Sequence, residues 1–92
     1  MIKSFSCADT AALFQGKTVP RFANIRAAAE RKLQMLDKAT CIDDLRNPPG
    51  NRLEALKGDR QSQYSIRINS QWRLCFSFEH GEAHNVHIVD YH

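Results

Sequence analysis

The sequence predicts an α+β fold, with helices packed on one face of a mostly antiparallel sheet. Three observations predict it. Apolar residues recur at helical intervals from Phe22 to Leu36, and they alternate with a period of two from Trp72 to Phe78. Turn residues at Gly58-Asp59, Asn69-Ser70-Gln71 and Gly81 divide the second half into strand-length pieces. The expected order is one strand, two helices, then four strands. At 92 residues the chain is long enough for one domain, spanning 1–92, with a small core.

Each element has its own signal. Ile2 to Cys7 reads as a short first strand anchored by Ile2 and Phe5. Asp9 or Thr10 is placed to cap a short helix through Leu13 and Phe14, which Gly16 ends. Pro20 suits the first turn of a second helix. Phe22, Ile25, Ala29, Leu33 and Leu36 then mark one face over about five turns. Arg26, Glu30, Arg31, Lys32 and Lys38 fall mostly on its outer side. Ile42 to Leu45 reads as a single turn, and Asn47-Pro48-Pro49-Gly50 as a stop and loop. The strands are expected at Arg52–Leu56, Tyr64–Ile68, Trp72–Phe78 and Ala83–Tyr91.

The face pattern selects a register for the central hairpin. Trp72, Leu74, Phe76 and Phe78 share one face, leaving Arg73, Cys75 and Ser77 on the other. A three-residue loop, Asn69-Ser70-Gln71, pairs Ile68 with Trp72, Ile66 with Leu74 and Arg67 with Arg73. A two-residue loop would mix apolar and polar faces. The preferred register sets two arginines side by side, which is unfavourable unless an anion or a carboxylate such as Glu54 lies between them. Because Arg73 falls on the non-core face, its truncation is expected to leave folding nearly unaffected.

Composition excludes several classes of function. The apolar content argues against disorder, and no apolar run is long enough to span a membrane. The opening Met1-Ile2-Lys3-Ser4-Phe5 lacks the apolar stretch of a secretory signal, so a cytoplasmic location is expected. Cys7, Cys41 and Cys75 are odd in number and widely spaced, fitting neither a disulfide framework nor a zinc site. His80, His84 and His87 show no metal spacing; His80 and His84 read as surface residues of a hairpin. The formal net charge is +3, but it is unevenly distributed. Arg46, Arg52, Lys57, Arg60, Arg67 and Arg73 are opposed within their stretch only by Glu54 and Asp59. That favours a polyanion, an acidic partner, or both.

The chain closes on Asp90-Tyr91-His92 directly after an apolar strand. A strand can place those acid–base groups at a sheet edge, and nearby cations suit phosphodiester chemistry. Cleaving RNA needs no metal when the 2′-hydroxyl attacks. It needs a base, an acid, and cations for the charged phosphorane. Arg73, Lys57 and Arg67 are candidate cations, with Arg52 and Arg60 as further RNA contacts. Tyr91 and His92 are candidate proton-transfer groups, with Asp90 or Glu54 as orienter or alternative base. Spacing does not choose among Glu54, Tyr91 and His92 as the base. No cofactor or metal is expected.

Read together, these motifs resemble a family. Leu53-Glu54-Ala55-Leu56-Lys57-Gly58-Asp59-Arg60 is followed by Tyr64-Ser65-Ile66, Trp72-Arg73-Leu74-Cys75-Phe76 and the closing Val89-Asp90-Tyr91-His92. The pattern resembles the HigB branch of the RelE/ParE toxin superfamily. The run Pro48-Pro49-Gly50-Asn51-Arg52-Leu53-Glu54 is similar to GraT-type members. The resemblance implies a RelE-like fold and a type II toxin that cleaves mRNA in the ribosomal A site. It implies neutralisation by a HigA-like helix-turn-helix antitoxin, through which alone operator DNA is contacted. It implies that Lys57 and Arg73 meet the phosphate and its transition state, and that Asp90, Tyr91 and His92 form a C-terminal catalytic cluster. Glu54 departs from members that carry a catalytic histidine there. A carboxylate can still act as base or orienter, but it supplies no positive charge. The superfamily also holds ParE-like inhibitors of DNA gyrase, and a non-catalytic RNA-binding module is a further alternative. The acid–base tail favours the nuclease. The β region lacks the aromatic platform of a stacking RNA binder, since Trp72, Phe76 and Phe78 read as core.

Overall fold

The computed structural model describes residues 1–56 and 63–90. The element order is α1 (Ala8–Phe14), a 3₁₀ helix (Pro20–Ile25), α2 (Arg26–Lys38), two further 3₁₀ turns (Ile42–Arg46 and Pro49–Asn51), then β1 (Glu54–Ala55), β2 (Gln63–Arg67), β3 (Trp72–Glu79) and β4 (Glu82–Asp90). The four strands form one antiparallel sheet in the order β1-β2-β3-β4. The helices pack on one face of it, as the alternation in β3 requires. Phe22, Ile25, Ala29, Leu33 and Leu36 from the helical layer meet Ile66, Leu74, Phe76, Val86 and Ile88 in a single core. None of the described helices is long and apolar enough to cross a membrane.

The expected five-turn helix is divided at Ile25. Phe22 and Ile25 are three apart, the repeat of a 3₁₀ helix, whereas Ile25, Ala29, Leu33 and Leu36 follow the α repeat. One apolar face therefore runs through both segments. Pro20 occupies the start, where its missing N–H is harmless. Gly16 ends α1 at φ 86, with its N–H donated to the Leu13 carbonyl. The expected side-chain cap of α1 is absent. The N-cap is Cys7, Asp9 pairs with Arg21 at 3.2 Å, and Thr10 is fully buried. Thr10 Oγ1 accepts the amide of Ile88 at 3.1 Å. It thereby satisfies a donor on the outer edge of β4, a stronger demand than capping, since a buried unpaired amide is costly.

The expected first strand is reduced to two isolated parallel bridges, Ile2 with Ala83 and Phe5 with Val86. The cause is a bulge. Cys75 pairs with His87 while Ser77 pairs with His84, so β4 carries an extra residue between them. Asn85 sits there at φ 55. Bonding sites on β4 then recur every three residues instead of two, and a regular parallel ladder cannot form. The segment is held by the Ala83 amide on the Met1 carbonyl and the Val86 amide on the Ser4 carbonyl. Ser4 Oγ accepts the Asn85 amide at 2.9 Å, fixing the bulge.

The sheet has the register that the face pattern selects. Ile66 pairs with Leu74 and Arg67 with Arg73, across the loop Asn69-Ser70-Gln71. Asn69 Oδ1 accepts the amides of Gln71 and Trp72, each at 2.8 Å. The β3–β4 hairpin turns through His80 and Gly81, both at positive φ, as primed two-residue turns require. β1 is shorter than Arg52–Leu56 because Arg52 is left-handed, with φ 45 and ψ 55. Thr10→Val keeps the volume of the side chain but removes the acceptor for Ile88. It should cost about 1–2 kcal/mol, read as a lower urea midpoint with an unchanged fold by NMR.

Candidate active site

The site is a groove of about 330 Å³ at one end of the sheet, lined by Arg52, Glu54, Arg67, Asn69, Ser70 and Arg73. Four residues singled out in the sequence, Arg52, Glu54, Arg67 and Arg73, are thus brought together. Arg67 and Arg73 arrive by cross-strand pairing on the face away from the helices. Glu54 arrives by pairing with Ser65 one strand further out. Arg52 lies just before β1. Three guanidinium groups face one carboxylate, so the lining favours an anion.

Arg73 is not the solvated side chain that the face pattern suggested. The face is correct, but the residue is only 8% exposed. Its Nε donates to Ser65 Oγ at 3.0 Å, and its Nη2 donates to the Arg52 carbonyl at 2.8 Å and the Ser65 carbonyl at 3.4 Å. Its Nη1 lies 3.8 Å from Glu54 Oε1. These contacts compensate for removing a permanent charge from water. Glu54 is mostly exposed, so its attraction to Arg73 contributes under about 1 kcal/mol. The neutral acceptors therefore do more to hold Arg73 than the ion pair does. Sheet periodicity alone could not reveal this burial, because it depends on the loop before β1 folding over the polar face.

Asp90 stands at the same end of the sheet, paired with Trp72. That register puts it on the opposite face from Arg73, and it does not line the groove. Its Oδ2 accepts Gln71 Nε2 at 3.1 Å. Lys57, Arg60, Tyr91 and His92 lie outside the described residues. Among those described, no group of three His, Cys, Asp or Glu could hold a metal ion. His80 is exposed, His84 is half-buried 3.6 Å from Glu82, and the Nδ1 of His87 lies 3.0 Å from Ser6 Oγ. Cys75 is buried in the sheet, although it shares the face of Arg73.

Sequence reasoning missed Ser65, Asn69, Ser70 and Asn51 as parts of the site and its support. Ser65 had a signal: it is a small polar residue on the face that pairs Arg67 with Arg73. Asn51 had none. It is fully buried, and its Nδ2 donates to the carbonyls of Leu45 and Asn47 at 3.1 and 3.2 Å. Its Oδ1 accepts Lys32 Nζ, which ties the loop to α2. Burial, aided by the charge of Arg31, pushes the Lys32 ammonium below its usual pKa.

This fold, with a cationic groove at one end of an antiparallel sheet, fits the RelE-like class of small toxins. Residues 13–92 match the HigB-like toxin family, described as RelE-like toxins of type II toxin–antitoxin systems, and the chain belongs to that family. It is similar to Toxin HigB-1 of Vibrio cholerae, with 46% identity over 66 residues, 72% of this chain and 70% of that protein. It is also similar to Endoribonuclease HigB of Proteus vulgaris, with 38% identity over 93 aligned residues spanning both chains in full. The chain is a type II toxin, and a toxin of this type has an antitoxin partner.

Arg73→Ala strands the Ser65 hydroxyl and the Arg52 carbonyl without their donor. Contrary to the expectation from face pattern alone, it should destabilise the fold by about 2 kcal/mol. An unchanged midpoint in chemical denaturation would contradict the buried geometry.

Proposed function

We propose that this toxin is an endoribonuclease that cleaves mRNA in the ribosomal A site, arrests translation, and is neutralised by a HigA-like helix-turn-helix antitoxin. It acts in the cytoplasm and meets operator DNA only through that antitoxin. The observation that carries the reading is the groove, where a buried, pinned Arg73 is joined by Arg52 and Arg67 beside one exposed carboxylate. The name of the Proteus vulgaris relative supports the same chemistry.

The proposed reaction is attack of the 2′-hydroxyl on the adjacent phosphorus, expelling the 5′-oxygen and leaving a 2′,3′-cyclic phosphate. The nucleophile belongs to the substrate, so no metal is required to generate it. Arg73 stabilises the negative charge that develops on the phosphorane. It is preorganised, so little reorganisation accompanies the charge build-up. Arg52 and Arg67 hold the flanking phosphates, with Lys57 and Arg60 as further contacts. Glu54 takes the 2′-hydroxyl proton: it lines the groove, is exposed to substrate, and sits beside the cation that would meet the phosphate. Tyr91 and His92 complete the proton transfer, His92 protonating the leaving oxygen, with Asp90 as an orienter at the strand end.

The domain is small and offers little surface to orient a flexible RNA. Positioning can account for about 7–11 kcal/mol of a barrier. The ribosome supplies much of it by holding the mRNA, and the basic stretch docks on ribosomal RNA with salt-sensitive affinity.

Glu54→Gln should lower the single-turnover cleavage rate by roughly a hundred-fold, within the range for loss of a general base. Wild-type cleavage by this variant would move the base to another residue. Purified toxin should cleave an mRNA on programmed ribosomes far faster than the same mRNA free in solution, leaving cyclic phosphate ends without added metal. Equal cleavage of free RNA would remove the ribosomal part of the proposal. Growth arrest with DNA breaks and intact mRNA would replace it with the gyrase reading.

A further inference from the structure

The run Pro48-Pro49-Gly50-Asn51-Arg52 has no part in the chemistry above beyond the charge of Arg52. We infer that this loop aims Arg73, and that Arg52 is a positioning residue acting through its backbone carbonyl. The inference rests on Arg73 being the group that meets the phosphorane.

Three described residues other than glycine have positive φ: Arg52, His80 and Asn85. His80 makes the β3–β4 hairpin turn and Asn85 makes the bulge in β4, so local structure accounts for both. Arg52 ends a 3₁₀ turn that an extended residue could also end. A left-handed, non-glycine residue in such a place points to a functional constraint. Its consequence is visible in the groove. The Arg52 carbonyl accepts Arg73 Nη2 at 2.8 Å, the shortest of the bonds to that guanidinium given above. Ser65 Oγ accepts Nε at 3.0 Å. Nε and Nη2 form one edge of a planar group, so two acceptors on that edge fix the plane. Nη1 is thereby directed toward Glu54 and the groove.

The loop is anchored to the helical layer by the residue just before Arg52. Its turn closes through the Asn51 amide on the Pro48 carbonyl at 2.9 Å and the Arg52 amide on the Pro49 carbonyl at 3.1 Å. Asn51 is buried, donates to Leu45 and Asn47, and accepts from Lys32 of α2. Its Nδ2 also lies 3.0 Å from Met35 Sδ. Consecutive residues thus grip the helical layer and the reactive guanidinium. Arg52 contributes twice: its exposed side chain lines the groove, and its carbonyl aims Arg73.

Two neutral substitutions separate these contributions. Arg52→Asn and Arg52→Val both remove the charge, but Asn tolerates the left-handed conformation and β-branched Val does not. Single-turnover cleavage of an mRNA on programmed ribosomes is measured well below both melting temperatures. Both variants should show the same loss in half-saturation. At saturation, Arg52→Val should be slower than Arg52→Asn by roughly ten-fold, the factor by which the left-handed penalty depopulates the aligned loop. If Arg52→Val does not fold, Arg52→Ala takes its place, with a smaller gap in the same direction. Equal saturating rates for the Asn and Val (or Ala) variants would overturn the positioning role. Arg73→Ala in the same assay separates the two claims: wild-type cleavage by it would overturn the reading of Arg73 and this inference together. Inactivity of Arg73→Ala with equal rates at Arg52 would overturn the inference alone.

Discussion

The burial of one guanidinium is the constraint on which the rest of this structure depends. Arg73 can be held out of water only if its N–H groups find acceptors. Those acceptors come from the neighbouring strand, through Ser65, and from the loop before β1, through the Arg52 carbonyl. The register of β2 against β3 is therefore fixed from both faces. Ile66 opposite Leu74 satisfies the core, while Arg67 opposite Arg73 sets the groove. A slip by one residue would expose the apolar set and bury the charges.

The short segment between α2 and β1 connects the two layers of the fold. Asn51 is its buried polar hub, and the carbonyls it satisfies, those of Leu45 and Asn47, lie at the end of the 3₁₀ turn Ile42–Arg46 and just beyond it. At the start of the same segment, Asp44 accepts the amides of Thr40 and Cys41. Those bonds hold its carboxyl below the usual carboxylate range. A small domain has few apolar contacts to spare for ordering a loop. Side-chain to backbone hydrogen bonds do that work here, and they lead the chain to Arg52 at the groove.

The opposite edge of the sheet solves a different problem. β4 is an edge strand, and exposed edges invite pairing with other chains. The opening residues bridge it at Ala83 and Val86, and Thr10 takes the amide of Ile88. The bulge at Asn85 interrupts whatever ladder would remain. At the groove, polar groups converge from β1, β2 and β3, whereas the β4 edge is covered by contacts from the first ten residues, about 80 positions away in the chain.

The sequence by itself determined the α+β class, the helical face from Phe22 to Leu36, the three-residue hairpin loop and the pairing of Arg67 with Arg73. These are periodic or local properties, written in the spacing of apolar residues and in turn chemistry. It also determined which chemistry-bearing residues to consider, and Arg52, Glu54, Arg67 and Arg73 do converge. Tertiary structure alone decided that Ile2–Cys7 bridges β4 without forming a strand, that Thr10 serves β4 rather than α1, that Asp90 stays out of the groove lining, and that Arg73 is buried. Each of these depends on contacts between residues far apart in the chain, or on a backbone angle at Arg52 or Asn85 that no periodicity encodes. Periodicity reports which face a side chain takes, but whether that face is covered depends on the loop that folds over it.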